Sequence, residues 1–196
     1  LLLDFVGTIP SCNSDTIMAI SVWKALFKRE IILNNKIEFV SERKMISEDL
    51  IFDIDFLSKC SKIIGINDYL YAYCTNPSSL SKKYRIDRFD MEIALYHEVI
   101  KKLQGLGVDN KEIILRTDRF LIARSRVDIF QIFKYNHNKR IKQYKELLDN
   151  ICDNNIMKQI YQRYKYKNFP FKYKLVLFLQ KNKYYHLLYI LSLLKN

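Results

Sequence analysis

Apolar and polar positions alternate with two different periods along this chain, and the change between them divides it. Over Asp15–Asn34 the residues Ile17, Ile20, Trp23, Ala25, Leu26 and Phe27 recur at helical spacing, behind Ser14 or Asp15 as a cap for the exposed N–H groups. Asn34-Asn35 ends that run, and Lys36-Ile37-Glu38-Phe39-Val40 alternates with the period of a short strand. After a polar stretch, Ser47 suits an N-cap, and Leu50, Ile51, Ile54 and Leu57 form the apolar face of a helix reaching about Cys60. Glu48 and Asp49 then fall in its first turn. Ile63–Ile66 and Tyr69–Tyr73 read as two strands about an Asn67-Asp68 turn, with a loop at Thr75–Ser79.

From Arg88 onward only helical spacing is found. One segment runs to Gln104 and breaks at Gly105-Leu106-Gly107; a long one follows from Asp109 to Tyr135, where Asp109 and Glu112 have the spacing of a capping box. Further helices are expected over Lys139–Ile151, Asn154–Tyr166, Phe171–Gln180 and Tyr184–Leu194, with Asn168-Phe169-Pro170 between two of them. The pattern predicts an α/β part of mixed helices and short strands over residues 1–84, then an all-helical C-terminal extension over 85–196.

Composition agrees with a helix-rich chain: four glycines and three prolines in 196 residues are few, and 49% hydrophobic residues can bury a sizeable core. Four cysteines without short paired spacing and three scattered histidines make no metal-ligand pattern, and free thiols in a reducing cytosol fit them best. The opening Leu1-Leu2-Leu3-Asp4 has no initiator Met and no charged stretch before an apolar run, so the chain reads as a fragment that begins mid-protein rather than on a signal peptide. No apolar run approaches the roughly 20 residues that span a bilayer.

Charge changes the picture more. The net charge is +12, but residues 1–100 hold 12 basic and 14 acidic side chains, residues 101–153 hold 12 and 7, and residues 154–196 hold 9 and none. An A+T-rich genome raises Lys everywhere; it does not remove acids after Asp153.

The order of Ser21-Val22-Trp23-Lys24-Ala25-Leu26-Phe27-Lys28-Arg29, Ile37-Glu38-Phe39, Ser47-Glu48-Asp49-Leu50, Tyr71-Ala72-Tyr73 and Asn76-Pro77-Ser78-Ser79-Leu80 resembles the second half of the catalytic domain of bacterial family 2 glycosyltransferases that build surface polysaccharides. It covers about Asp15 to Ser81, and the succession carries it rather than any one piece. The resemblance implies part of a GT-A fold and an inverting transfer of sugar from a nucleotide-diphosphate donor to a hydroxyl acceptor, saccharide or lipid-linked saccharide. Such a reaction needs a carboxylate beside the acceptor hydroxyl, since a neutral alcohol is a poor nucleophile. By resemblance Asp49 is that base and Glu48 its neighbour, and a helix's first turn favours the ionised form. The bland alternative is a pair of solvated acids at a helix start.

The family's Mg or Mn ion is held by an Asp-x-Asp motif in a loop after a strand. Asp53-Ile54-Asp55 has those letters inside a predicted helix, downstream of the base, and reads as a solvated face. The metal motif and the nucleotide-gripping half are expected before Leu1. Trp23 could line the acceptor cleft, though beside Leu26 and Phe27 it reads more readily as core. Lys28 and Arg29 suit either an anionic ligand or the last turn of a helix. Cys74 stands where many relatives carry Arg, so nothing is assigned there.

In the tail, Lys165, Lys167, Lys172, Lys174, Lys181 and Lys183 are interleaved with tyrosines and with Phe169, Phe171 and Phe178. Cations beside aromatics suit a helix lying in the plane of an anionic membrane. An ordinary bundle with a lysine-rich solvated face suits them equally. The expected location is the cytoplasm, at the inner face of the cell membrane. A second reading is a non-catalytic basic helical module that binds anionic membrane or nucleic acid; nucleic acid ranks lower, because no RNA- or DNA-binding motif is present.

Overall fold

The computed structural model describes residues 1–18, 21–41, 43–68, 70–72, 74 and 84–194, with backbone only at Lys167. Among them are nine α-helices and no strand: α1 (Leu2–Val6), α2 (Arg29–Asn35), α3 (Glu48–Leu57), α4 (Arg88–Gly105), α5 (Asn110–Tyr135), α6 (Lys145–Cys152), α7 (Asn155–Arg163), α8 (Phe171–Lys181) and α9 (Tyr185–Leu193). The expected α/β class is therefore corrected to all-helical.

The correction has a physical basis. A strand is stable only when neighbouring strands take up its N–H and C=O groups, and among the described residues no strand pairs with residues 36–40, 63–66 or 70–72. Lys36 instead closes α2 in the left-handed region (φ 50°), and Phe39 lies flat on Phe52 of α3, 4.1 Å between centroids. Ile63, Ile64, Ile66 and Leu70 are exposed in extended, unpaired chain. The loop at Thr75–Ser79, like Asn76–Leu80 of the family pattern, lies outside the described residues.

The helix expected over Asp15–Asn34 is also replaced, by a 3-10 turn at Val22–Lys24 and by α2. Its intended caps are engaged elsewhere. Ser14 Oγ donates to Thr16 O, and the Asp15 carboxylate accepts from Arg119 Nε (3.0 Å) and from Arg126, both on α5. Arg119 is wholly buried and also donates to the carbonyls of Pro10, Cys12 and Ser14, with its guanidinium 4.3 Å from the Phe169 ring centre. One arginine thus ties the N-terminal loop to the middle of the longest helix.

The helical half follows its apolar spacing closely. Asp109 caps α5 by accepting from Lys111 N–H (2.9 Å) and Glu112 N–H (3.2 Å), while Glu112 turns to Arg116 and leaves the box half made. Gly107, at φ +72°, makes the turn between α4 and α5. The pairs Arg88–Asp128, Tyr96–Asp118 and buried Leu103 with Ile113 show that the two helices run antiparallel. One core gathers α5 with α6–α9 around Phe133, Leu148, Ile160 and Leu188; a second joins α1, α3, α4 and α5 through Val6, Leu50, Ile54, Leu95, Val99 and Leu121's neighbour Phe120. Each fully buried Leu or Ile contributes roughly 1.5–3 kcal/mol, more than any exposed ion pair, so packing is what fixes α3 against α4 and α5.

Candidate functional site at the start of helix α3

Leu50, Ile51 and Ile54 anchor α3 in the second core, which leaves its first turn at the surface of that core. Ser47 occupies the cap position but does not cap: it sits at φ 54°, ψ 49°, and its hydroxyl accepts from Arg124 Nη2 of α5 at 2.6 Å. A left-handed non-glycine residue costs roughly 1–2 kcal/mol, and that charge-assisted hydrogen bond offsets it. Arg124 continues to Glu92 (3.5 Å), which Arg88 also reaches (3.3 Å).

Glu48 and Asp49 lie in the first turn of α3, as expected, both partly exposed. Val22 N–H donates to Asp49 Oδ2 at 3.4 Å, a long contact that brings the Val22–Lys24 turn over the helix start. Trp23 follows Val22 in that turn, and it is 45% exposed rather than core. Its ring lies 4.6 Å from that of Tyr71, tilted by 32°, and Tyr71 is itself exposed. The two partly exposed rings form an aromatic pair, and Trp23 belongs to the turn whose Val22 N–H meets the Asp49 carboxylate.

Asp53 lies one turn beyond Asp49 on the same face. It is buried, and its Oδ2 finds no hydrogen-bond donor among the described residues. Burial pushes its carboxyl up to about 6; the Asp49 charge pushes the same way, and Lys24 opposes both. The solvated-face reading of Asp53-Ile54-Asp55 is thus corrected for Asp53. Asp55 points elsewhere and accepts Lys102 Nζ at 2.6 and 2.8 Å, joining α3 to α4. A divalent ion needs several oxygens converging on one point. With Asp53 enclosed and Asp55 held by a lysine, these residues do not fit Mg or Mn, and no group of three possible ligands occurs among the described residues.

Other expected contacts are dispersed. Lys28 and Arg29 start α2 instead of ending a helix, and Lys28 pairs with Glu30 (3.0 Å). Lys165, Lys174 and Lys181 are exposed, and Lys172 lies 4.8 Å from the Tyr173 ring centre. Lys183 is held by Asp149 (3.3 Å) and by Asp153. All four cysteines are free. No described helix is long and apolar enough to cross a membrane.

Sequence reasoning missed Asp53 and Arg124. For Asp53 the signal was present: position 53 falls four residues after Asp49, between Leu50 and Ile54, on a helix whose apolar residues leave little solvated face. Arg124 sits 77 residues from Ser47, and no local pattern connects them. Comparison with protein-family models, with curated proteins and with solved structures gives no match.

Proposed function

We propose that this chain is the acceptor-side part of an inverting, nucleotide-sugar-dependent glycosyltransferase, with Asp49 as the general base. The observation that carries the reading is the partly exposed Asp49 carboxylate at the start of α3, joined by the Val22 N–H to the turn that carries the half-exposed Trp23. A sugar ring presents C–H groups on one face and hydroxyls at its edge. Stacking the face on Trp23 turns an edge hydroxyl towards Asp49. The hydroxyl oxygen then attacks the donor's anomeric carbon, the bond to the diphosphate breaks, and the proton passes to Asp49. The nucleoside diphosphate leaves with the bonding pair, and the anomeric configuration inverts.

Asp53 lies one turn behind the base, where burial and the Asp49 charge raise its own carboxyl and Lys24 limits that rise. The nucleotide-binding half, with its metal ion, belongs to a longer protein on this reading. The exposed, unpaired stretch 63–68 supports such a partner, because apolar extended chain is stabilised by a neighbouring sheet. The acceptor is a saccharide or lipid-linked saccharide, and the protein works at the cytoplasmic face of the cell membrane, held by its acid-free basic tail.

The test uses the longer protein. Release of nucleoside diphosphate from a nucleotide sugar should depend on added hydroxyl acceptor, and the product should carry the inverted linkage. Trp23→Ala should raise the acceptor KM about three- to tenfold, the size of an aromatic stacking contribution, with kcat nearly kept. A retained linkage, or an acceptor KM indifferent to Trp23, contradicts the reading.

A further inference from the structure

A cleft of about 770 Å³ opens where α6 and α9 begin, and its wall includes Lys139, Arg140, Lys142, Lys145, Lys183 and His186. Lys145 pairs with Asp149 (3.5 Å), and Lys183 pairs with Asp149 and Asp153. Lys139, Arg140 and Lys142 have no carboxylate partner among the described residues. Three unbalanced cations and an imidazole therefore share one concave surface, which favours a polyvalent anion within it. The first turns of α6 and α9 both contribute to the wall, and neither helix has a side-chain cap. Their positive ends add to the attraction.

What adjoins the cleft narrows the ligand. On α9 and at its C-terminal cap, Leu187, Ile190 and Leu194 follow one another at helical spacing and are exposed by 50%, 52% and 77%. Leu187 belongs both to this stripe and to the cleft wall. Tyr184, at the lip, meets the half-exposed Phe178 of α8 at 6.1 Å between ring centres, which extends the apolar surface onto a second helix. A contiguous apolar stripe beside a basic cleft has no use for a nucleic acid, whose phosphates would meet only one of the two. It matches an amphiphile that carries an anionic head and apolar chains.

We infer that this cleft binds the phosphate headgroup of an anionic phospholipid, with the Leu187–Ile190–Leu194 stripe entering the interfacial layer of the bilayer. The inference deepens the membrane part of the function proposed above and rests on it. It moves the principal contact away from Lys165, Lys172 and Lys174 to a cleft whose cations come mostly from the stretch before α6.

The full chain is sedimented with vesicles of phosphatidylcholine alone and of phosphatidylcholine with phosphatidylglycerol. Wild type should bind only the second. The exposed triple variant K139Q/R140Q/K142Q should lose on the order of 100-fold in affinity, from about fivefold per cation. K165Q/K174Q should lose far less. Ile190→Glu should also weaken binding, and it provides an independent readout if the triple variant melts below wild type. Inorganic phosphate at millimolar concentration should leave vesicle binding in place. If wild type binds neither vesicle, the membrane reading itself fails. If wild type binds and both the triple variant and Ile190→Glu bind equally well, the cleft assignment alone fails. Displacement from vesicles by free phosphate, or tighter binding to an oligonucleotide than to vesicles, overturns the lipid as ligand.

Discussion

Asp53 sits with an unsatisfied oxygen inside the molecule, and its carboxyl is pushed up to about 6 from the ordinary 3.8, first by burial and then by Asp49. The folded chain thus keeps this proton more firmly than the unfolded chain does. Stability falls as pH rises from about 4 to 6 and stays lowered above that. Asp128 contributes with the same sign up to about 7, through burial and then the charge of Glu92, against Arg88 and Arg124. Asp53→Asn should therefore raise stability by up to about 3 kcal/mol at pH 8 and by almost nothing at pH 4; urea titrations at the two pH values check the difference. At Asp15 the sign is opposite in kind. Removing its carboxylate leaves Arg119 charged and buried, and Asp15→Ala should cost about 3 kcal/mol, read as a lower urea midpoint with an unchanged slope. The sequence placed Asp49 in a helical first turn correctly, because an apolar periodicity and an acidic start agree locally, although Ser47 does not cap the helix as expected. It could not place Asp15, whose partners lie more than 100 residues away.

Among elements, the long helices α4 and α5 were legible to within a residue or so at each end, since a helix satisfies its own backbone and its apolar stripe repeats locally. The strands were not. Alternation in Lys36–Val40 and Ile63–Ile66 describes what a segment does once a sheet is beside it, and no sheet lies among the described residues. The helix expected over Asp15–Asn34 failed because hydrogen bonds from α5 outcompete its caps. A close approach of α1's end to α5 gives this scale its prediction. A Cβ at Gly7 would lie 2.3 Å from the Arg116 carbonyl oxygen, and that backbone cannot swing aside as a side chain can. Gly7→Ala should lower stability by about 2 kcal/mol, visible as a thermal midpoint several degrees lower.

Over the whole molecule, charge and packing divide the labour. The apolar cores hold α3 so that Asp49 stays at the surface, while basic groups accumulate towards the C-terminus around α6, α8 and α9. The net positive tail was legible from composition alone. Its organisation into a cleft was not, because Lys139–Lys142 and Lys183–His186 meet only after α6 to α9 have folded back upon α5. The functional reading joins these scales at one residue. Asp49→Asn keeps the shape and the Val22 contact of the helix start and removes the base. In the longer protein, acceptor-dependent release of nucleoside diphosphate should fall by roughly 10²- to 10⁴-fold, with acceptor KM and thermal unfolding within error of wild type. Turnover that survives the substitution contradicts the assignment of Asp49 as the base.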